Sequence, residues 1–110
     1  MKREKVSFAF MTRIKFIFTK KGNMKYISHL DLMRLLMRAF RRSGLPLKMT
    51  QGFNPHPKLS MRGALKLGLE SDQEEAAIVL KEEVGLQEFA KRLSKQLPAG
   101  LHIKGVEKDA

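Results

Sequence analysis

The chain has 110 residues, no cysteine, and 22 lysines and arginines against 11 aspartates and glutamates, which gives a formal net charge of +11. This length allows one small domain around a single hydrophobic core. Without cysteine, the chain itself cannot form a disulfide, use a thiolate nucleophile, or hold zinc or an iron–sulfur cluster through thiolates. We therefore expect no cofactor.

The positive charge is concentrated in the first part of the chain. Residues 1–66 contain 16 basic and 2 acidic side chains, a net charge of +14, whereas residues 67–110 contain 6 basic and 9 acidic side chains, a net charge of −3. A basic half beside an acidic half indicates a surface that binds a polyanion. The alternative is an ordinary basic cytosolic domain.

The N-terminal residues lack the pattern of a secretion signal. Basic residues precede the apolar run VSFAFM, but this run is short and no small-residue cleavage site follows it. No stretch approaches the roughly 20 apolar residues that cross a bilayer. We expect a soluble, cytoplasmic protein without a membrane partner, in which residues 1–11 are an N-terminal extension and residues 12–110 form a single domain.

The predicted domain opens with a strand. Thr12–Thr19 alternates apolar and polar side chains, as a half-buried strand does. Residues 20–23 (KKGN) are then predicted to form a turn, and residues 26–27 a short extended segment.

A helix is predicted over His29–Ser43. Ser28 is a good N-cap residue, and Asp31 stands three positions later, where a capping box has its acidic residue. Gly44 can adopt the left-handed conformation that ends a helix, and Pro46 follows just beyond it.

This helix separates apolar from basic side chains. Its apolar residues fill roughly 220° of the circumference. They are Leu30, Leu32, Met33, Leu35, Leu36, Met37, Ala39 and Phe40. An arc of this width exceeds what packing on one sheet face requires, so either a second element covers part of it or part of it binds a partner.

The remaining pattern predicts the fold. Periodicity and turn residues indicate a loop over 48–57, a strand over 58–69, a turn over 70–75, a strand over 76–81, a helix over 86–97 and a strand over 101–106. The order βαββαβ predicts an α+β, ferredoxin-like sandwich with a four-stranded antiparallel sheet and two helices on one face. The other sheet face would present Arg13, Lys15, Ser60, Arg62, Lys66, His102 and Lys104.

Two features favour nucleic-acid binding. Arginine binds phosphate bidentately, and a row of arginines along a helix can follow a phosphate backbone without reading its sequence. In the loop, an exposed Phe53 would stack on a base. The predicted nucleic-acid-binding residues are Arg34, Arg38, Arg41, Arg42, Gln51, Phe53, Asn54, Lys58 and Arg62. The alternatives are that the arginines form a solvated helix face and that Phe53 packs into the core.

His29 and His56 are the candidates for catalysis. Either histidine, with Tyr26 and Ser28 near the first, could serve as general acid or base in a metal-independent ribonuclease. His29 is predicted on the apolar side of the helix, and a packed, structural histidine is the commoner outcome. A metal held by His29, Asp31 and His56 is less favoured, because side chains two positions apart on a helix do not face each other. We expect no metal.

Two long strings carry a family resemblance. With KGNMKYISHLDLMRLLMRAFRRSGLPL and TQGFNPHPKLSMRGALKLGLES, the chain resembles the radical SAM-linked proteins, a bacterial domain of unknown function, over about residues 12–106. That domain often follows, or is encoded beside, a radical S-adenosylmethionine enzyme, near ribosomal-protein and ribonuclease genes. The resemblance implies an accessory role near RNA or translation, and implies that this chain is the first half of a longer family domain. It supplies no catalytic residues.

These observations lead to one expected function and two alternatives. We expect an RNA-binding accessory or substrate-docking domain associated with a radical S-adenosylmethionine enzyme. The first alternative is a metal-independent endoribonuclease that uses His29 or His56. The second is a protein-interaction module with no nucleic-acid role, whose wide apolar helix face meets the second half of the family domain or the partner enzyme. A homodimer would form through an exposed apolar or sheet surface.

Overall fold

The computed structural model describes residues 11–62 and 67–109. Residues 1–10 of the predicted extension, and residues 63–66 of the predicted second strand, lie outside the described residues. The elements are β1 (Thr12–Lys20), a 3₁₀ helix (Gly22–Tyr26), α1 (His29–Ser43), β2 (Leu59–Met61), β3 (Ser71–Leu80), α2 (Leu86–Ser94) and β4 (Ile103–Lys108).

The four strands form one antiparallel sheet in the order β2-β3-β1-β4. The long strands β1 and β3 pair at its centre, with Ile14 opposite Ile78, and β4 pairs with the other edge of β1, where Phe16 lies opposite Val106. Helix α1 connects β1 to β2, α2 connects β3 to β4, and both helices pack on the same sheet face. The predicted α+β, ferredoxin-like fold is therefore confirmed.

Four phenylalanine rings form the centre of the core between the sheet and the helices. The ring centroid of Phe16 on β1 lies 5.7 Å from that of Phe18, 5.6 Å from that of Phe40 on α1 and 6.1 Å from that of Phe89 on α2. All four side chains are fully buried. Because its ring touches both helices, Phe16 fixes the two helices on the sheet.

Helix α1 begins and ends at the predicted residues. The Oγ of Ser28 accepts a hydrogen bond of 3.1 Å from the backbone N–H of Asp31, and Gly44 ends the helix with φ of +78°. The wide apolar arc divides into three parts. Its centre is buried, Met33 and other flanking residues are partly buried against the core, and Leu30 in the first turn is exposed.

The prediction for β2 and β3 was wrong in its boundaries. Described β2 ends at Met61, and Leu67 and Leu69 are exposed rather than directed inward. The predicted turn over 70–75 belongs largely to β3, which begins at Ser71. Acidic residues are tolerated in this strand because its main chain pairs with β1 while two of its carboxylates reach lysines.

Smaller differences concern the remaining elements. The turn predicted over 20–23 is replaced by the end of β1 and a 3₁₀ helix that ends at Tyr26, and of the predicted extended segment only Ile27 is extended. Helix α2 ends at Ser94, and residues 95–96 continue as a turn. Strand β4 runs over Ile103–Lys108, two residues later than predicted. No helix in the described ranges is long and apolar enough to cross a membrane.

Candidate nucleic-acid interface

The four arginines of α1 form an exposed row, which we call the arginine face (Arg34, Arg38, Arg41 and Arg42). Arg34 lies 3.6 Å from Asp31 in an exposed ion pair. The Nη2 of Arg41 lies 3.5 Å from the carbonyl oxygen of Pro55 in the following loop. The other two arginines make no hydrogen bond or ion pair with a described residue, so their guanidinium groups are available to an external anion.

Arg38 and Arg42 line a shallow groove between α1 and the end of α2. The groove has a volume of about 480 Å³, and Lys95 joins the two arginines in its wall. The other lining residues are Leu35, Ala39, Gln96, Leu97 and Pro98. No described acidic side chain lines the groove, although the charge of Lys95 acts on the Glu88 carboxyl outside it. Three cations at one site, of which Arg38 and Arg42 have no described partner, create a positive local potential.

The neighbouring Arg92 has a structural role. Its Nε donates a hydrogen bond of 2.6 Å to Glu88, and its Nη1 donates one of 3.1 Å to the carbonyl oxygen of Gly44. The hydrogen bond from Arg92 lowers the pKa of the Glu88 carboxyl. Arg92 therefore links α2 to the end of α1, beside the groove that the two helices form.

The segment between α1 and β2 contains a closed loop, which we call the hairpin loop (residues 49–57). Met49 forms a β-bridge with Pro57 at its base. Above the bridge, the N–H of Thr50 donates to the carbonyl oxygen of His56 at 2.7 Å, and the N–H of His56 donates back to the Thr50 Oγ1 at 3.1 Å. These bonds close the loop, so that residues 51–55 form its tip.

The tip presents the predicted loop residues to solvent. Gln51, Phe53 and Asn54 are all exposed, and the Phe53 ring is fully so. Gly52 has φ of +123°, a conformation that glycine adopts readily and that directs the chain through the turn. The structure therefore contradicts the alternative in which Phe53 packs into the core.

The hairpin loop extends round the edge of the sheet. Arg41 approaches it from the helix side through Pro55. On the opposite side, His56 and Lys58 line a groove of about 390 Å³ together with Arg13 of β1. The predicted site residues Arg41, Phe53 and Lys58 thus lie along one stretch of surface that runs from α1 over the loop.

The sheet face away from the helices, called here the open face, does not form a simple basic surface. Three of its cations, Arg13, Lys15 and Arg62, are paired with acidic residues that the sequence pattern did not place there. The pairs are Arg13–Asp109 at 3.1 Å, Lys15–Glu107 at 2.7 Å, Lys15–Glu75 at 3.4 Å and Arg62–Glu75 at 3.5 Å. The hydrogen bond to Glu107, followed by that to Glu75, raises the pKa of Lys15.

Arg62 lies near Lys58 but apart from the arginine face. The grooves at Arg62 and Lys58 share three residues of the sheet, Arg13, Ser60 and Ala77. Arg62 lies on the open face, whereas the arginine face lies on the outer side of the helical layer. His102 and Lys104 are exposed, and Lys66 lies outside the described residues. The described structure brings the arginine face and the loop together through Arg41 and Pro55, and leaves Arg62 on the open face beyond Lys58.

The two candidate histidines lie at opposite ends of α1. His29 is its first residue, while His56 belongs to the loop that Arg41 contacts near the last turn. At 1.5 Å per residue, the helix between positions 29 and 41 is about 18 Å long, so the histidines cannot act on one phosphodiester as an acid–base pair. His29 is exposed in the first turn, which contradicts the alternative of a packed, structural histidine. No metal-binding cluster of three side chains occurs among the described residues.

A second surface was not predicted as a site from the sequence. Four apolar side chains, each more than half exposed, lie near the N-terminal end of α1: Tyr26, Leu30, Leu67 and Leu69. The N–H of Gly68 donates to the carbonyl oxygen of Lys25 at 2.6 Å and holds the two leucines of residues 67–69 beside the 3₁₀ helix. We call this surface the apolar patch. The wide apolar arc of α1 was its only signal in the sequence.

Comparison with known proteins identifies the family of the chain. No curated protein and no solved structure is similar enough to count as a match. A family model described as "Uncharacterized protein conserved in bacteria (DUF2344)" matches residues 13–109, a range that includes both helices and nearly all of the sheet. The chain therefore belongs to this bacterial family.

Proposed function

We propose that the chain binds RNA through the arginine face, the groove beside it and the hairpin loop. The observation that carries this proposal is that three cations on the open face are paired with carboxylates, whereas the two arginines of the groove are not paired with any described residue. On the open face, Arg13, Lys15 and Arg62 each have a carboxylate partner. In the groove, Arg38 and Arg42 have none among the described residues.

A polyanion suits this surface better than a small anion. The arginine face follows more than two turns of α1, and from Arg34 to Arg42 its α-carbons span about 12 Å. A row of this length matches successive phosphates better than it matches one. From residue 32 to residue 69 the sequence contains no acidic residue, so no carboxylate in that segment competes for the arginines.

The partner enzyme is the second part of the proposal. The resemblance to the radical SAM-linked proteins supports a role as an accessory or substrate-docking domain for a radical S-adenosylmethionine enzyme. The chain contains no cysteine, so its own side chains offer no thiolates to the iron–sulfur cluster of such an enzyme. In this role the chain would present RNA, and the partner would supply the chemistry.

RNA binding is tested by fluorescence anisotropy with a labelled RNA strand over a series of salt concentrations. If about six phosphates are neutralised, log affinity falls against log salt with a slope near −4 for a single strand. Arg38→Glu combined with Arg42→Glu should abolish measurable binding. Arg62→Glu combined with Lys104→Glu changes the net charge equally and should reduce it far less, because neither residue belongs to the proposed surface. Equal losses in the two double variants, or a flat salt response, would refute the proposal.

The apolar patch favours a second candidate function, that of a protein-interaction module. A cluster of exposed apolar side chains on a small domain commonly marks a protein interface. With the purified radical S-adenosylmethionine enzyme, Leu30→Glu should weaken complex formation, while Arg38→Glu should not. A second copy would be the occupant if the chain forms a dimer in light scattering that Leu30→Glu dissociates.

A further inference from the structure

Phe53 is the most exposed large apolar side chain of the described chain. It projects from the tip of the hairpin loop, where no described residue buries it. Exposing a phenylalanine ring to water is unfavourable, because its apolar surface is better accommodated away from water. Among the described residues nothing shields this ring from water, so it is free to contact a ligand.

The loop that carries Phe53 is restrained. The bridge between Met49 and Pro57 and the two hydrogen bonds between Thr50 and His56 close its base. Pro55 and Pro57 restrict the backbone on the returning side. A ring on such a loop loses little conformational freedom on binding, which favours a ligand that offers one flat face.

The surroundings of the ring select the kind of ligand. Exposed amides of Gln51 and Asn54 flank it, and the cations of Arg41 and Lys58 lie on either side of the loop. This combination of an aromatic ring, amide groups and cations suits a nucleobase and its phosphates. A protein or membrane anchor would need a larger apolar surface, but the apolar patch lies at the opposite end of α1.

We propose that Phe53 stacks on an unpaired base and thereby makes the chain prefer single-stranded RNA to duplex RNA. This inference rests on the proposed RNA binding and adds the substrate class. In a duplex the faces of internal bases are covered by their neighbours, so the ring finds no partner there. In a single strand a base can leave the stack and lie against Phe53, while its phosphates reach the arginine face.

The expected effect of removing the ring follows from the strength of base–aromatic stacking. Phe53→Ala should weaken binding to single-stranded RNA roughly 5- to 150-fold, the range that corresponds to one stacked base. Binding to the duplex should not change, because it depends on phosphate contacts alone. Since the ring is fully exposed, the substitution should leave folding intact.

The experiment compares one unstructured RNA strand with the duplex that it forms with its complement. Affinities are measured by anisotropy for the unmodified chain, Phe53→Ala and Tyr26→Ala. The last variant is a matched control, because it removes an exposed aromatic ring at the other end of α1. In addition, Phe53→Trp introduces a single indole into a chain without tryptophan, and stacking on a base should quench its emission.

The outcomes separate this inference from the proposed function. Selective loss of single-strand affinity in Phe53→Ala, with quenching in Phe53→Trp, supports the stacking role. If Phe53→Ala binds the single strand as tightly as the unmodified chain, the stacking role is refuted while RNA binding stands, and the ring then serves another partner. If the unmodified chain binds neither RNA, both proposals fail.

Discussion

The guanidinium of Arg92 lies against the end of α1 and donates a hydrogen bond of 3.1 Å to the carbonyl oxygen of Gly44. Carbonyl oxygens at a helix C-terminus lack intrahelical donors, so a cation from another element is well placed there. The same guanidinium is oriented by Glu88, one turn earlier on α2. This contact fixes the relative position of the two helices that border the basic groove.

We predict that Arg92→Met reduces stability modestly and disturbs the groove. The variant keeps much of the apolar stem but loses both hydrogen bonds, and because the pair is exposed the urea midpoint should fall by only roughly a few tenths of a molar. Urea unfolding followed by circular dichroism measures the change. Lys91→Met, on the same helix, is the control and should lower the urea midpoint by a smaller amount. An unchanged midpoint for Arg92→Met would show that the contact to Gly44 contributes nothing.

The phenylalanine cluster predicts that the same substitution, phenylalanine to alanine, has very different effects on stability at two positions. Phe16→Ala removes a buried ring that contacts Phe18, Phe40 and Phe89 and should destabilise the fold by about 3–5 kcal/mol. Phe53→Ala removes a fully exposed ring and should change stability by less than about 0.5 kcal/mol. The two variants are compared by chemical denaturation. Similar losses would contradict the assignment of one ring to the core and the other to a surface contact.

The sequence predicted α1 well because local interactions determine its ends. Ser28 and Asp31 form the N-terminal cap, and Gly44 supplies the left-handed residue at the other end. None of these interactions depends on a distant part of the chain. The arginine face followed directly, because helical spacing alone places its residues on one side.

The second and third strands were less predictable because distant pairing determines them. Leu67 and Leu69 continue an alternating pattern, yet both are exposed. In β3, Glu75 reads as part of a polar turn, but pairing with β1 makes it strand, and its carboxylate lies 3.4 Å from Lys15. The pairing of charges on the open face also depends on distant strands, because β1 supplies Lys15 while β3 and β4 supply the carboxylates of Glu75 and Glu107.

Gly100 is predicted to tolerate no side chain. It has φ of +96°, and a Cβ at this position would overlap the carbonyl oxygen of Lys21 and lie 2.9 Å from the Cγ of Met24. Gly100→Ala should therefore lose about 1–3 kcal/mol from the backbone conformation, with steric overlap adding to it. Gly105→Ala in β4 is the matched control, because its φ lies outside the left-handed region and no described atom beyond its chain neighbours lies within 4 Å of the added methyl group. Thermal unfolding of the two variants should differ by several degrees; coincident transitions would contradict the close approach at Gly100.

The pair formed by Lys21 and Asp72 predicts a pH dependence. Its atoms Nζ and Oδ1 lie 2.7 Å apart, and this hydrogen bond lowers the pKa of Asp72 and raises the pKa of Lys21. Because the pKa of Asp72 is lower in the folded than in the unfolded state, the carboxylate stabilises the fold at pH values above its unfolded-state pKa. This contribution disappears as pH falls through the folded-state pKa. Because the pKa of Lys21 is higher in the folded than in the unfolded state, the ammonium group stabilises the fold at pH values below its unfolded-state pKa. This stabilisation is lost as pH rises through the folded-state pKa.

Lys21→Met should therefore bring the pKa of Asp72 back toward its ordinary value of 3.8. A carboxyl-detected NMR titration of Asp72 measures this directly. Because the pair is exposed, the accompanying loss of stability should be small; it should be present at neutral pH and disappear as pH falls through the folded-state pKa of Asp72 or rises through that of Lys21. Lys95→Met, which removes a lysine whose charge acts on Glu88 and not on Asp72, should leave the titration unchanged. An Asp72 titration that is the same with and without Lys21 would contradict the pairing.

The last prediction distinguishes bidentate phosphate binding from a diffuse positive field. Arg38→Lys combined with Arg42→Lys keeps the charge of the groove but removes two planar guanidinium groups, each of which can donate two parallel hydrogen bonds to one phosphate. We expect RNA affinity to fall roughly threefold to tenfold, while the slope of log affinity against log salt stays the same, because equally many phosphates are neutralised. Arg62→Lys, on the open face, should change neither quantity. If the double variant binds as tightly as the unmodified chain, the groove acts through its charge alone, and the guanidinium geometry of Arg38 and Arg42 is not used.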